Sequence, residues 1–300
     1  MIVLFIFILG LAIGSFLNVC IDRLPAEESL NGRSHCDHCK KKLGILDLVP
    51  VLSYFMLRGK CRYCNKKLSL FYPFVEVLTG VAFVLVCFYS ISVISTSLQA
   101  GRDLNHLLLA EIPQSLRFFG MTGSLLVLIS SLIVIFFADL KYHIIPDEAT
   151  IAIILFSIPF TILNSPATLS VISNPHTNGV RNLIPLFMIL LSHLGAGLIL
   201  FAILCAIYYG SIFFMKKEGM GFGDVKLAFA MGLLLGLKGG LIALYLSFVI
   251  GGLLSVLLIL FGKKGMKSMI AFGPFMIVGI LVMLFLPEKI MSIIRLILPI

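Results

Sequence analysis

The chain has 300 residues, 60% of them hydrophobic and only 12% charged. That balance excludes a soluble domain of this size and points to a polytopic membrane protein. The net charge of +9 reads as membrane topology, and nothing in its placement implies a nucleic-acid site.

Apolar segments are expected as spans at roughly 1–20, 71–97, 118–138, 149–164, 183–214, 225–237, 240–261 and 269–286. The fold class is therefore an all-α polytopic membrane protein of about eight transmembrane helices. The fourth and sixth segments are short for about 30 Å of hydrocarbon. Lys238-Gly239-Gly240 blurs the end of the sixth, and a single bent segment over 225–261 would leave seven spans. No Lys or Arg precedes the first segment, so it lacks the basic start of a secretory signal and is expected to be a retained helix. With the N-terminus outside, the inside segments hold ten Lys/Arg in 23–68, Lys141, three in 216–226 and three in 263–267. The outside segments hold only Arg102, Arg117, Arg181, Lys238, Lys289 and Arg295. An excess of Lys and Arg marks the cytoplasmic side, which orients the chain.

The first large inside loop carries Cys36-Asp37-His38-Cys39 and Cys61-Arg62-Tyr63-Cys64. Paired Cys-x-x-Cys motifs supply four thiolates for a tetrahedral zinc site, and a reducing cytoplasm disfavours disulfides. His35 and His38 are substitute ligands of lower rank. Such a loop builds little core of its own, so a structural zinc ion would supply folding energy. Cys20, Cys87 and Cys205 lie in or beside apolar spans and are expected to pack as small hydrophobes.

Asp139 closes the third span and Asp224 opens the sixth. Carboxylates at the edge of hydrocarbon are costly and often functional. In this topology both fall on the cytoplasmic side, 85 residues apart in sequence, where a pair sharing one proton could activate water. Asp147, in Ile-Pro-Asp-Glu-Ala-Thr, reads as a helix start. Asp224 follows Gly219, Gly221 and Gly223, which leave room for an extended peptide or form a plain flexible loop. Lys141, Tyr142 and His143 are expected to anchor at the interface. Residues 98–117 and 165–182 read as outside loops, the second turn-rich. His106, His176 and His193 receive no role.

Several motifs, in this order, resemble the bacterial type IV prepilin leader peptidases, membrane aspartic peptidases of the pilus and type II secretion systems. These are Gly14-Ser15-Phe16-Leu17-Asn18-Val19 with Asp22-Arg23-Leu24-Pro25, both cysteine pairs, and Tyr72 to Gly80 (Tyr-Pro-Phe-Val-Glu-Val-Leu-Thr-Gly). Ala-Asp-Leu-Lys-Tyr-His-Ile-Ile-Pro-Asp around Asp139 and Gly-Phe-Gly-Asp-Val-Lys-Leu around Asp224 complete the set. The resemblance runs from end to end. It implies catalytic Asp139 and Asp224, with Asp147 outside the pair, and substrate contacts from Gly221 and Gly223. It implies prepilin and pseudopilin substrates cleaved after a glycine at the cytoplasmic face of the inner membrane. It also implies N-methylation of the new terminus from S-adenosylmethionine, with Glu76 and Gly80 associated with that activity. The stretch between the two aspartates is longer than the family pattern, with the excess expected in the loop near 165–182. Archaeal preflagellin peptidases share the Gly-x-Gly-Asp idea without the cysteine loop, which favours the bacterial branch. Glu27, Glu28, Asp37 and Asp47 are candidate contacts for a basic leader. The expected organisation is a first helix (1–20), a zinc-binding, methylation-associated loop (21–70) and a transmembrane peptidase core (71–300). A proton-coupled transporter and a zinc-stabilised scaffold are the alternative readings of the same acids and cysteines.

Overall fold

The computed structural model describes residues 1–36, 38–100, 111–164, 179–216, 220–261 and 271–297. Asp37, His106, His176, Gly219 and most of the two expected outside loops fall outside them. The described chain is helical: α1 (Ile2–Arg23), α2 (Leu52–Met56), α3 (Phe71–Ala100), α4 (Glu111–Tyr142), α5 (Asp147–Asn164), α6 (Gly179–Met215), α7 (Phe222–Leu260), α8 (Gly273–Phe285) and α9 (Pro287–Ile297). Six of these are individually long and apolar enough to cross a membrane, and α8 with α9 forms a further pair bent by 95°.

Length shows that α7 cannot be one span. Its 39 residues would reach roughly 58 Å as a straight helix, about twice the hydrocarbon thickness. Gly236 breaks it, with φ 70° and ψ 179°, a conformation that glycine adopts without steric cost. Beyond it the chain doubles back. A Cβ on Gly240 would lie 3.4 Å from the Cα of Gly232, whereas eight residues of straight helix separate their ends by about 12 Å. The two limbs thus form a tight antiparallel hairpin, matching the expected spans at 225–237 and 240–261. With the hairpin counted as two limbs, each of the eight expected spans has its helix. His193 on α6 meets this corner, its Nδ1 lying 2.9 Å from the carbonyl oxygen of Leu233. It satisfies an acceptor that the helix end would otherwise leave open.

Helix α4 is the centre of the bundle, with 61% of its span buried against 17–39% for the other five. Leu125, Leu128, Leu132 and Ile135 on it are essentially inaccessible. It packs against α1, α3, α5 and α8, while α6, α7 and α8 form the adjoining layer. Hydroxyls inside the bundle fold back on their own helices: Thr79, Ser124, Thr150 and Ser247 each donate to the carbonyl four residues earlier. That satisfies them where water is scarce. At one end Arg117 of α4 donates to the carbonyl of Leu163, 2.6 Å away, at the close of α5. At the other, Asp22 of α1 contacts Lys141 of α4, and Asp147 of α5 contacts Lys226 of α7. The cysteine loop, joining α1 to α3, lies on this second face.

Helices α1 and α3 cross on small residues. A Cβ on Gly14 would fall 2.7 Å from the Cα of Glu76, and one on Gly10 would fall 2.7 Å from the Cα of Gly80. Spacing of four places both glycines on one face, the small-xxx-small arrangement that lets membrane helices approach closely. Gly14→Leu is therefore expected to force α1 from α3, at a cost of about 1–3 kcal/mol. In detergent this should lower the melting temperature by several degrees; an unchanged melt would contradict the crossing.

Candidate active site

The corner between α4 and α5 positions the first carboxylate. α4 ends at Tyr142, with His143 in the left-handed region (φ 55°) and its N–H bonded to the carbonyl of Asp139 at 3.0 Å. Pro146 then precedes α5, whose first turn carries Asp147 and Glu148, where the helix dipole favours negative charge. Asp139 sits in the last turn of α4 and points into the bundle, 5% exposed. Asp224 lies in the first turn of α7, 7% exposed, and its backbone N–H bonds to the carbonyl of Gly221 at 3.2 Å.

The start of α8 brings backbone against Asp139. A Cβ on Gly273 would lie 2.6 Å from Asp139 Oδ2 and 3.3 Å from Ile145 Cδ1. A Cβ on Gly223, beside Asp224, would lie 3.0 Å from Ile145 Cβ. Ile145 is thus the shared neighbour that draws the α4 corner, the α7 start and the α8 start together. The Gly273 amide is within reach of the Asp139 carboxylate, and the Gly221 amide within reach of Asp224. Asp139 and Asp224 thus flank the same junction on Ile145, the first across Gly273 and the second beside Gly223. Even so, Asp139 Oδ2 and Asp224 Oδ1 are enclosed without a well-formed hydrogen bond among the described residues. Buried acceptors of this kind need a partner, which water or a peptide N–H can supply.

The nearby lysines are engaged elsewhere. Lys141 Nζ lies 2.7 Å from Asp22 Oδ1, which also accepts from Tyr142 Oη at 3.0 Å. Tyr72 Oη donates to Asp22 Oδ2 at 3.1 Å. Asp147 is paired with Lys226 at 2.7 Å and is not part of the buried pair. Gly221 is exposed, its Cβ position 3.6 Å from Asp224 Oδ2, while Gly223 is taken up by packing on Ile145. Gly273 escaped the sequence reading. Its signal was a Gly-Pro at a helix start, which says nothing about a neighbour 134 positions earlier.

The cysteine loop brings Cys36, Cys39, Cys61 and Cys64 together, with all four Sγ atoms within 4.8 Å of one another and Cys36 Sγ 3.9 Å from Cys64 Sγ. Zn–S bonds of about 2.3 Å separate tetrahedral sulfurs by roughly 3.8 Å, so the thiols fit a zinc ion. Two matching knuckles build the cluster. Cys36 N–H bonds to the Lys41 carbonyl and Lys40 N–H to the Cys36 carbonyl; Cys61 with Lys66 and Asn65 with Cys61 repeat both bonds. Lys40 and Asn65 take the same left-handed turn, φ 55° and 56°, and the bridges His35–Lys42 and Lys60–Lys67 close the two hairpins. His35 and His38 stand outside the four-thiol group. Burial opposes ionisation of Cys61, yet the backbone amides of Tyr63 and Cys64 and the thiols of Cys36 and Cys64 bring it down to about 7. Cys64 shifts the opposite way, to about 11: the Lys66 amide favours its thiolate, but burial and the thiols of Cys61, Cys39 and Cys36 outweigh it, so the cluster favours thiolate first at Cys61.

Of the acids proposed to meet a basic leader, Asp47 is held by Arg62 Nε at 2.9 Å, and Asp37 lies outside the described residues. Glu76, 7% exposed, accepts the Val51 N–H at 2.7 Å and so pins the loop to α3. Gly80 lies one turn further on, in the crossing with α1.

Residues 8–90 match the family model described as Bacterial Peptidase A24 N-terminal domain, and residues 126–256 match that of the Type IV leader peptidase family. The chain is 30% identical over 292 residues to the prepilin leader peptidase/N-methyltransferase of Neisseria gonorrhoeae, covering 89% of this chain and 84% of the relative. Proteins of the same name from Aeromonas hydrophila (28% over 299 residues; 91% and 87%) and Bacillus subtilis strain 168 (27% over 275 residues; 91% and 90%) are also similar. No solved structure matches the chain. Fold and site define a multi-pass helical membrane protein with two neighbouring buried carboxylates at one face. The chain belongs to the type IV leader peptidase family.

Metal analysis of the purified protein is expected to give one zinc per chain. Cys36→Ser or Cys61→Ser should reduce it to near zero and open the loop to limited proteolysis, because the metal supplies its folding energy. Full zinc content in both variants would contradict the four-thiol site.

Proposed function

We propose that the protein is an aspartic endopeptidase that removes the leader of type IV prepilins and pseudopilins and then methylates the new N-terminus. The observation that carries the peptidase reading is the pair of buried carboxylates with unpartnered oxygens, Asp139 Oδ2 and Asp224 Oδ1. Positive charge concentrated on the cysteine-loop face supports an orientation with that face in the bacterial cytoplasm and the N-terminus outside.

In this mechanism Asp139 and Asp224 hold a water between them. Two adjacent carboxylates do not readily ionise together, so one proton serves the pair. The ionised member takes a proton from water as it attacks the scissile carbonyl, and the neutral member donates a hydrogen bond to the developing oxyanion. The proton then passes to the leaving amine. General acid–base help of this kind is worth roughly 10²–10⁴-fold, and positioning of an extended, glycine-containing segment along Gly221 adds to it. The enclosed setting at the end of α4 keeps competing water few. S-adenosylmethionine, when bound, would supply the methyl group for the new N-terminal amine. Glu76, which pins the loop to α3, belongs to the region the family associates with this step. A transporter or a scaffold would leave the family match and the exposed Gly221 beside Asp224 without a role.

Asp139→Asn and Asp224→Asn should each abolish leader cleavage of a co-expressed prepilin, by at least about 10³-fold, in a protein that still melts cooperatively. Asp147→Asn should retain most activity, because an exposed ion pair is worth only about 0–1 kcal/mol. Mass spectrometry of the substrate reads the cleavage site and the added methyl together. Substantial cleavage by either dyad variant would overturn the reading.

A further inference from the structure

A cavity of about 390 Å³ lies on the cysteine-loop face, between the ends of α1 and α3 and beneath the loop. It falls in the size range of small-molecule sites. Its floor includes Ser15, Asn18 and Glu76, its far wall Lys141 and Tyr142, and its roof the first residues of both cysteine pairs, Cys36 and Cys61. The peptidase reading gives it no work.

Three observations point to a ligand. First, Asn18 is 6% exposed, its Nδ2 donates to the Tyr72 carbonyl at 3.1 Å, and its Oδ1 is buried without a partner. The Tyr72 bond fixes which way the amide points, so the orphan is an acceptor waiting for an N–H. Second, the lining carboxylates are unevenly neutralised. Asp22 is paired with Lys141 and Asp47 with Arg62, whereas among the described residues no cation pairs with Glu76 or Glu28. Arg23 and Lys40 also line the cavity, so its four carboxylates and four cations balance overall; the unpaired carboxylate at the floor is Glu76, and the Tyr54 and Tyr72 side chains at the lining suit a flat guest carrying both charges. Third, the cavity backs onto the buried pair. Lys141 and Tyr142 are two and three residues beyond Asp139, so one helix end faces both spaces.

We infer that this cavity is the binding site for the methyl donor, a sulfonium-bearing nucleoside, with Asn18 Oδ1 accepting a donor N–H and Glu76 facing the positive sulfur. The inference rests on the methyltransferase part of the proposed function. It places the donor across the α4 end from the carboxylates that release the amine, so the product need move only a short way along the membrane face.

Binding to the zinc-loaded, full-length protein in detergent tests it, with S-adenosylmethionine and the uncharged S-adenosylhomocysteine titrated by calorimetry. Asn18→Leu is expected to weaken both at least about tenfold, and Glu76→Gln to weaken the sulfonium selectively, narrowing its advantage by about tenfold. Since either variant could disturb the fold, ultraviolet crosslinking of radiolabelled donor to the unaltered protein provides a second measurement. The label should map to peptides within 15–76. Label confined to residues beyond 142, or Asn18→Leu and Glu76→Gln both binding like wild type, would overturn the site while leaving methyl transfer intact. No donor binding by a wild-type protein that still cleaves would overturn the methyltransferase reading and this inference with it.

Discussion

Two carboxylates can share the edge of a helical bundle only if other backbone comes close enough to enclose them. Here that enclosure depends on residues without side chains. Gly273 brings the start of α8 against Asp139, and Gly223 brings the start of α7 against Ile145. Any Cβ at Gly273 would occupy the space of the Asp139 carboxylate. Ile145 then fills the junction between the two helix starts, excluding solvent from a site that still has two open acceptors. The corner His143–Pro146 exists to present that isoleucine: a left-handed residue ends α4, and a proline readies α5.

The two nearby lysines are kept from this site by being occupied elsewhere. Lys141 and Lys226 each lie two residues from one of the buried aspartates, near enough to neutralise it if free. Two residues along a helix is a rotation of about 200°, which turns each lysine to the opposite side of its helix. There Asp22 and Asp147 take them up. These exposed pairs contribute little stability. Their consequence is electrostatic: neither lysine is left to neutralise a buried carboxylate. The same rotation makes the end of α4 two-sided, with Asp139 toward α7 and α8 and Lys141 and Tyr142 toward α1 and α3.

Much of this was legible in the sequence, because membrane insertion writes itself as long apolar runs and the cysteine ligands come in spaced pairs. Asp139, Asp224 and the four cysteines were named from the chain, and the structure gathers each set. The hairpin in α7 was left open between one bent span and two, since Lys238-Gly239-Gly240 marks a break without its angle. The actual pivot, Gly236, lies just upstream, and only its positive φ with the return of Gly240 onto Gly232 decides the matter. Gly273 and Ile145 were invisible for a different reason. Their roles are contacts between segments far apart in sequence, and neither residue type advertises them. The pairing of Asp47 with Arg62 was not legible either, because the partner is fifteen positions away across the loop.

The two cysteine pairs do more together than either could alone. Each knuckle is a local hairpin set by its own hydrogen bonds, and the second repeats the first with a shift of 25 positions. One knuckle would fix a turn and leave the rest of the loop to wander. Two whose thiols gather in one cluster would, on sharing a metal, close the intervening segment into a ring of fixed size, which removes conformational freedom that so short a loop could not offset by burial. That ring is then keyed to the membrane helices by the Val51 N–H on Glu76. A shared metal would set the shape of the loop, and the carboxylate of α3 sets its position. Loss of either would uncover the space beneath the loop by a different route, the first by unravelling the roof and the second by letting an intact roof shift.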